Sequence, residues 1–448
     1  MNPIQKPNIL LIMTDQQSAD ALGHKIEGGF LDTPALDLLS RESLAFENAY
    51  CAHPLCVPSR NSLFTGRYPH KIGVMVNNDS KKDLSSVPCM GKVLTDAGYD
   101  TGYVGKWHLC YSAGRHADIH GFRYVDNIRS NGADAHNVDA AVKFLDEERS
   151  DPFFLVASFN NPHNICEWAR SPETGAFPDI DVGSPPHLSD RPPLRSNHSD
   201  QHGRPQILAD LREAYQATNT FPVGHFGEEE WRAYRWAYYR MVESIDREIG
   251  RLLEELQRRG LAENTVVVFT SDHGDMQGAH GWNQKTTLYD ESTKVPFMIR
   301  WPGVVEPGES KALIQNGIDL MPTLCAAAGV QLSEDYPGVD VLGLNSENDR
   351  EFIVSETCFA QGADLGSSDA KVDGRMLRTE RYKYCAYRAP TSDDLEESLT
   401  DLHEDPGEML NLLASDTGGS LSSILDEHRR LLKTHCESQG DAFFDRRH

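Results

Sequence analysis

The sequence lacks three features that would each point to a class of protein. No stretch of about 18 apolar residues occurs, which excludes the usual membrane-spanning helix. The nine cysteines are scattered singly without a C-x-x-C pair, which favours a reducing compartment over a disulfide framework. Positive charge is scarce, with a formal net charge of −25, so neither a nucleic acid nor a membrane is expected as a partner. Any site for an anion must therefore gather its cations locally.

The amino terminus also lacks the marks of a signal peptide. A basic start, a longer apolar region and a small-residue cleavage site are missing before the strand-like run at residues 8–14. We therefore expect a cytoplasmic protein. A trimmed form of a secreted or periplasmic protein is the alternative.

Four apolar runs are each followed by polar residues that are capable of chemistry. The runs cover residues 9–13, 102–104, 153–157 and 266–269. Because they are apolar on successive residues, they are typical of strands buried on both faces in a parallel sheet. Ligands of such sheets bind beyond the carboxyl ends of the strands. We predict an α/β fold in which helices sandwich a large, mainly parallel sheet, with one site assembled from four strand ends.

The rest of the chain predicts helices and a second, smaller unit. An apolar stripe followed by Gly260 predicts a helix over residues 228–259. Residues 164–227 are rich in proline and histidine and have little apolar periodicity, so we expect an irregular connection that drapes near the site. Short strand-like stretches and a final amphipathic helix then predict an α+β subdomain with an antiparallel sheet. We divide the chain into a catalytic α/β domain, 1–345, and this C-terminal subdomain, 346–448.

Cys56 lies where a helix is expected to begin. Pro58 suits the first turn of a helix and Gly66 suits its end. The free amides and the dipole of a helix N-terminus favour an anion, and Arg60, about one turn further on, can bind the oxygens of a sulfate or phosphate. An ordinary helix start with a buried cysteine explains this segment equally well.

The Cys56-Val57-Pro58-Ser59-Arg60 pentapeptide and the Leu-x-Thr-Gly-Arg stretch after it resemble type I sulfatases of the alkaline phosphatase superfamily. Further segments resemble the other motifs of that family and follow one another in the family's order. These segments are Thr14-Asp15-Gln16, Gly105-Lys106-Trp107-His108, Asn161-Pro162-His163, Ser271-Asp272-His273-Gly274-Asp275, Lys285 and residues 401–408. The resemblance extends from about residue 8 to about residue 412. It implies hydrolysis of an organic sulfate monoester, carried by a sugar or a small alcohol.

The resemblance also implies a role for each matched residue. The catalytic residues would be Cys56, Arg60, Lys106, His108, His163 and Lys285, and the metal ligands Asp15, Gln16, Cys56, Asp272 and His273. The oxygen-rich ligand set indicates Ca²⁺, while the histidine and amide ligands leave Mn²⁺ or Mg²⁺ open. A dedicated maturation enzyme would oxidise Cys56 to formylglycine, whose hydrate attacks sulfur. His163, together with Lys285, would protonate the leaving alcohol, and His108 would help to expel sulfate.

Two other functions are consistent with the same residues. Asp15-Gln16 stands where many relatives have two aspartates, and the same pair occurs in formylglycine-dependent phosphonate monoester and phosphodiester hydrolases. Gln17 and Ser59 favour the sulfatase. A catalytically inactive protein that binds sulfated glycans is the third hypothesis, and the intact catalytic set argues against it. Candidates for a sugar subsite, each explained equally well by packing or by surface exposure, are Trp168, Arg115, His116, His225 and Trp282.

Overall fold

The computed structural model describes residues 6–111, 113, 117–127, 134–170, 182–218, 220–333, 335–344, 350–359, 371–389, 394–415 and 419–445 of the chain. Its strands form one eight-stranded sheet and one four-stranded sheet. The larger sheet consists of β1 (Asn8–Asp15), β2 (Leu44–Tyr50), β3 (Asp100–Gly105), β4 (Tyr124–Asp126), β5 (Phe153–Pro162), β6 (Thr265–Ser271), β7 (Phe297–Arg300) and β8 (Gly308–Gln315). The smaller sheet consists of β9 (Phe352–Phe359), β10 (Val372–Thr379), β11 (Tyr382–Arg388) and β12 (Leu395–Asp401).

The larger sheet has the order β4-β3-β5-β1-β6-β7-β2-β8. The four apolar runs of the sequence form β3, β5, β1 and β6, which are direct neighbours and run parallel to one another. Leu10 of β1 pairs with Leu155 of β5 on one side and Val267 of β6 on the other, so the three strands end at the same edge. β7 alone is antiparallel to its neighbours. The predicted, mainly parallel sheet is confirmed.

Helices cover both faces of this sheet, as predicted. They are α1 (Pro34–Arg41), α2 (Cys56–Thr65), α3 (Pro69–Ile72), α4 (Met90–Asp96), α5 (Ala117–His120), α6 (Asp134–Asp146), α7 (Ile165–Arg170), α8 (Gln206–Gln216), α9 (Glu228–Arg258), α10 (Asp290–Thr293) and α11 (Asn316–Ala327). Successive side chains of β1 point to opposite faces. Leu11 accordingly joins a core with α2, α4 and α11, whereas Leu10 joins a second core with α1, α6 and α9.

The segment before α9 differs from its prediction. The prediction of an irregular connection over residues 164–227 is wrong for α7 and α8. The buried side chains of α8, Ile207, Leu208, Leu211 and Tyr215, follow helical spacing, but this stripe is short and is flanked by proline-rich chain. The helix predicted over 228–259 is confirmed as α9, and the aromatic side chains in its first turns are mostly buried in a core.

The smaller sheet is antiparallel, in the order β12-β11-β10-β9, and packs against α13 (Ser422–Gln439), with α12 (Leu412–Ser415) beside β12. This confirms the predicted α+β unit. The amide of Glu356 in β9 donates to the carbonyl of Ala52 at 2.8 Å, which joins this unit to the segment before α2. The predicted boundary after residue 345 falls outside the described residues and stays a prediction. In the described part of the chain, no helix is both long and apolar enough to cross a membrane.

Candidate active site

The carboxyl ends of the central strands and the N-terminus of α2 meet at one buried site. β1 ends at Asp15, β6 is followed by Asp272 and His273, and α2 begins at Cys56. All four of these residues are at most 1% exposed. Because neighbouring parallel strands end at the same edge, residues more than 200 positions apart in sequence come into contact.

Cys56 lies among charged groups that are unusual for a buried cysteine. Its Sγ is 3.0 Å from Lys285 Nζ, 3.2 Å from His273 Nε2 and 3.7 Å from Asp15 Oδ1. Burial and the charge of Asp15 would raise the pKa of the Cys56 thiol, but Lys285, Lys106 and His273 together hold this pKa well below its usual range. The ordinary buried Cys89 shows the opposite, since burial raises its pKa to about 12. These surroundings favour a reactive role for Cys56 over simple packing.

Arg60 binds the two carboxylates of the site. Its Nε donates to Asp272 Oδ2 at 2.8 Å and its Nη2 donates to Asp15 Oδ2 at 3.1 Å. Its Nη1 donates to Ser158 Oγ at 2.8 Å and to the carbonyl of Lys106 at 3.0 Å. We predicted contact between Arg60 and the substrate's oxygens, but here the guanidinium is taken up by protein groups. This arrangement favours a role in orienting the carboxylates.

The residues present fit a divalent metal ion. Ligand atoms of Asp15, Cys56, Asp272 and His273 all lie within 4.8 Å of one another. While Arg60 holds one oxygen of each carboxylate, the Oδ1 atoms of Asp15 and Asp272 lie 4.0 and 3.6 Å from His273 Nε2. Burial and the charge of Asp15 raise the pKa of Asp272 to about 6 even though Arg60 is bound to it, so further positive charge would stabilise the two carboxylates. A cation bound among these four atoms would supply that charge.

Gln16 lies beside these ligands, with its side chain turned to other partners. Its Oε1 accepts from Lys285 Nζ at 2.7 Å, and its Nε2 donates to Asp275 Oδ2 at 2.6 Å. Tyr234 OH donates to the same Asp275 oxygen at 3.0 Å. Burial raises the pKa of Asp275 to about 6. The amide of Gln16 thus links Lys285 to the acid Asp275, and its predicted role as a metal ligand stays a prediction.

Lys106 is the second lysine at the nucleophile. Its Nζ lies 2.6 Å from Asp15 Oδ2. The preceding Gly105 has a φ of 92°, and a Cβ there would lie 2.0 Å from the carbonyl oxygen of Ser158. Only glycine therefore allows β3 to turn so close to β5 and direct Lys106 toward Asp15.

His108 and His163 are the two candidate proton-transfer residues. His108 is exposed as a residue, and its carbonyl and the amide of Cys110 are bound by the side chain of Asn61 at 3.4 and 2.9 Å. Desolvation by the surrounding protein and the charge of Lys106 lower the pKa of His108. Burial, Lys106 and Lys285 lower the pKa of His163 to about 4. The side chain of Cys56 acts in the opposite direction and raises the pKa of both rings.

Several residues of the site have no clear signal in the sequence. Ser158 binds Arg60, and Asn61 fixes the segment of His108. The carboxylate of Asp134 accepts from the amides of Asn160 and Asn161 at 2.7 and 3.1 Å, and so fixes the end of β5 before His163. Asp275 belongs to a recognised motif, which is the one signal that could have identified it. The others support the site through tertiary contacts alone.

Neither of the two tryptophans suggested for a sugar subsite is accessible to a sugar. Trp168 and Trp282 are 1% and 2% exposed and belong to separate apolar cores. His225 is an exposed residue whose ring lies 5.1 Å from that of Phe226. Arg115 and His116 lie outside the described residues. Packing explains both tryptophans.

A second group, formed by His70, Glu356 and Asp441, also has ligand atoms close enough to hold a metal. Its charges are already paired, however. His70 Nδ1 is 2.5 Å from Glu356 Oε1, and Arg375 Nε donates to Asp441 Oδ2 at 2.6 Å. We interpret this group as an ion-pair network between α3, the smaller sheet and the end of α13.

A buried cysteine at a helix N-terminus, with two lysines and a ligand set that fits a metal, is the arrangement expected of a metal-dependent hydrolase of anionic esters. A family model described as Sulfatase matches residues 7–330, and one described as N-sulphoglucosamine sulphohydrolase, C-terminal, matches residues 278–435. Because the first match covers well over half of the chain, the protein belongs to the sulfatase family. It is an enzyme that hydrolyses sulfate esters.

Similar proteins extend over nearly the whole chain. A Delta 4,5-hexuronate-2-O-sulfatase of Bacteroides thetaiotaomicron is 28% identical over 466 residues, covering 98% of this chain and 90% of the relative. The solved structure of a 2-O GAG sulfatase has a TM-score of 0.80 at 27% identity and covers 99% of this chain and 94% of that chain. A phosphonate monoester hydrolase of Agrobacterium radiobacter shares the fold, with a TM-score of 0.76 at 22% identity and 96% of each chain covered.

Proposed function

We propose that the substrate of this sulfatase is a sulfate monoester of a carbohydrate and that formylglycine formed from Cys56 is the nucleophile. The observation that carries the proposal is the position of Cys56 Sγ, 3.0 Å from Lys285 Nζ and 3.2 Å from His273 Nε2. A group at this position is in contact with a cation and with the metal-ligand set at once. A sulfate ester bound there would meet positive charge on one side and the nucleophile on the other.

The other residues have roles that follow from their positions. Lys106 and Lys285 lie beside the nucleophile and would balance charge on the sulfate oxygens. His163 would donate a proton to the oxygen of the leaving alcohol, with Lys285 close by. His108 would accept a proton from the second hydroxyl of the hydrated formylglycine, so that sulfate is expelled and the aldehyde restored.

Asp15, Asp272, His273 and the modified side chain of Cys56 would hold the metal ion, with Gln16 as the remaining ligand. We propose Ca²⁺, because carboxylate and amide oxygens dominate this set. When bound, the ion would acidify the hydrate of formylglycine. Removing the metal with a chelator and restoring Ca²⁺, Mn²⁺ or Mg²⁺ singly tests the choice. Activity restored only by Mn²⁺ or Mg²⁺ would overturn it.

Maturation requires a partner enzyme that oxidises Cys56. Mass spectrometry of the peptide containing Cys56, after expression with and without a formylglycine-generating enzyme, tests this step. We expect conversion of the thiol to the aldehyde only with the partner. A thiol that is never converted, together with full sulfatase activity, would contradict the proposed nucleophile.

A carbohydrate substrate is supported by the relatives, which include the hexuronate-2-O-sulfatase and the 2-O GAG sulfatase. The test is a screen of sulfated mono- and disaccharides against the matured enzyme, with choline sulfate and an aryl sulfate as non-sugar controls. We expect the highest kcat/KM for a sugar sulfate. A higher value for choline sulfate or the aryl sulfate would refute the carbohydrate assignment.

Phosphonate monoester or phosphodiester hydrolysis is the second candidate function. Gln16 stands in place of a second carboxylate beside Asp15, which lowers the negative charge of the site, and a phosphonate monoester hydrolase shares the fold. A sulfate monoester and a phosphodiester both carry one negative charge, so electrostatics alone do not separate them. Kinetic measurements with matched aryl sulfate and aryl phosphodiester substrates distinguish the two functions. A higher kcat/KM for the phosphodiester would reverse our preference.

A further inference from the structure

Two polar atoms, one on His163 and one on Glu167, face each other without a hydrogen bond. Nδ1 of His163 lies 3.9 Å from Oε2 of Glu167, one helical turn further along the chain. Both atoms are shielded from solvent, and neither has a hydrogen-bond partner. Buried polar atoms are nearly always paired, so this gap needs an explanation. A shift of about 1 Å would close it to hydrogen-bonding distance.

The backbone around this pair is firmly held. The amide of Cys166 donates to the carbonyl of His163 at 3.0 Å, which starts α7 directly after the histidine. Glu167 lies on the first turn of that helix, at the i,i+4 position where side chains meet. Its side chain is therefore delivered to the ring of His163 by the helix itself.

The far side of Glu167 is also supported. Nη1 of Arg170 lies 3.6 Å from Glu167 Oε1, and Nη2 of Arg170 donates to the carbonyl of Thr220 at 3.4 Å. Gln284, next to Lys285, donates to the same carbonyl at 3.0 Å. The end of α7 and the segment that carries Lys285 are thus bound to the same carbonyl. These bonds fix the positions of His163, Glu167 and Lys285 relative to one another.

We propose that Glu167 is the positioning residue of His163: its carboxylate binds Nδ1–H, so that Nε2 faces the leaving-group oxygen. A ring nitrogen is fixed as donor by the bond that it makes, and an acceptor at Nδ1 leaves Nε2 as the nitrogen that exchanges a proton with the substrate. As the S–O bond breaks, the proton on Nε2 moves to the alcohol oxygen. The ring carries both protons before this step and becomes neutral afterwards, with its remaining proton on Nδ1, and water returns a proton to Nε2 between turnovers.

The kinetic test compares substrates whose leaving groups differ in pKa. Only the loss of a residue that acts through proton donation lowers the rate by an amount that depends on the leaving group. The role of His163 belongs to the function proposed above, so His163→Ala is measured in parallel. We expect Glu167→Ala to lower kcat for phenyl or alkyl sulfates about 10- to 100-fold, with KM little changed. For 4-nitrophenyl sulfate, whose leaving group needs little protonation, we expect a loss of less than about threefold. Glu167→Gln should retain an intermediate rate, since its amide oxygen still accepts from Nδ1.

Two controls keep this test specific. Glu255→Ala removes a glutamate that pairs with Arg258 and Arg259 at the C-terminal end of α9. This variant should change no rate. The double variant His163→Ala/Glu167→Ala should be no slower than His163→Ala alone, because the two residues act as one unit. An equal loss for every leaving group, or an additive loss in the double variant, would overturn the proposal.

A second readout needs no substrate, no metal and no formylglycine. In protein labelled with ¹⁵N-histidine, the signals of His163 are identified by their loss in His163→Ala, and their shifts report which nitrogen carries the proton. We expect the Nδ1–H form in the wild type and a shift toward Nε2–H in Glu167→Ala. The same form in both proteins would overturn the positioning role. Absence of sulfate ester hydrolysis by the wild type would instead contradict the proposed function and leave this result intact.

Discussion

Two regions of the molecule bury charged side chains, and they arrange them in opposite ways. In the Lys383 cluster, formed by Asp290, Lys383 and Glu408 between the two sheets, Lys383 Nζ contacts Asp290 and lies 2.8 Å from Glu408 Oε2. The cation stands between its carboxylates. At Cys56, by contrast, the ligand atoms of two carboxylates, a histidine and a thiol converge within 4.8 Å of one another. Similar residue types give a structural clamp in the first region and a reactive site in the second.

The largest effect is expected at the nucleophile. Cys56→Ala should lower kcat/KM on the order of 10⁴-fold or more, because it removes the precursor of formylglycine. The free energy of unfolding should change little, since a small side chain replaces another small one. Activity assays and denaturant unfolding measure the two quantities. Cys89→Ala is the matched control, a buried cysteine outside the site. Activity within tenfold of the wild type would contradict the assignment of Cys56.

A smaller loss is expected when one metal ligand is weakened. Asp272→Asn removes a charged oxygen ligand, so we expect a clear fall in bound metal and a fall in kcat/KM of about 100-fold. Elemental analysis of the purified protein measures the metal. The control is Asp335→Asn, which removes an exposed carboxylate paired with Arg67. Unchanged metal content in Asp272→Asn would place the metal elsewhere.

The Lys383 cluster should respond in stability and not in chemistry. Lys383→Met leaves the buried Glu408 and the partly buried Asp290 without their cation, so we expect the free energy of unfolding to fall by about 3 to 5 kcal/mol. The kcat of the molecules that remain folded should be unchanged. Lys311→Met, at an exposed position, should have no such effect. A loss of kcat with an unchanged free energy of unfolding would contradict the purely structural role of the Lys383 cluster.

The smallest effect on the free energy of unfolding is expected from the ion pair of His70 and Glu356. Burial alone would lower the pKa of His70, but the hydrogen bond and the charge of Glu356 raise it above its usual value. The stabilisation is therefore complete below a pH of about 6.5 and is lost as the pH rises through the higher pKa of the folded state.

His70→Gln tests this pH dependence. The difference in unfolding free energy between the wild type and this variant should be about 1 kcal/mol at low pH and should vanish above that window. Denaturant unfolding at a series of pH values measures it. His24→Gln, which removes an exposed histidine paired with Asp37, serves as the control. A difference that grows with pH would show that the sign is wrong.

The sequence predicted the centre of the fold better than its connections. β1, β3, β5 and β6 were identified because consecutive apolar residues reveal a strand that is buried on both faces. The helix beginning at Cys56 and ending before Gly66 is confirmed, and Gly66 has a φ of 62°. α8 was missed because its apolar stripe is too short to stand out in a proline-rich segment.

The candidate site divides in the same way. The motif residues around Cys56 were identified in the sequence, and the structure brings them together. Ser158, Asn61 and Asp134 were not identified, since a single serine, asparagine or aspartate carries no periodicity and matches no recognised motif. The sequence also predicted that Arg60 binds oxygens of the substrate, but in the structure Arg60 has other partners. Its donors are taken up by Asp15, Asp272 and Ser158, which only the assembled strands bring within reach.

By itself, the sequence determined the fold class and the family and predicted the reactive residues, because these depend on local periodicity and on short motifs. Only the tertiary structure decided that Cys56 lies within hydrogen-bonding distance of Lys285 and His273, and that Glu167 faces the ring of His163. The reason is physical. A pKa, a ligand set or a proton path depends on distances of 3 to 4 Å between residues that are remote in sequence, and packing alone fixes such distances.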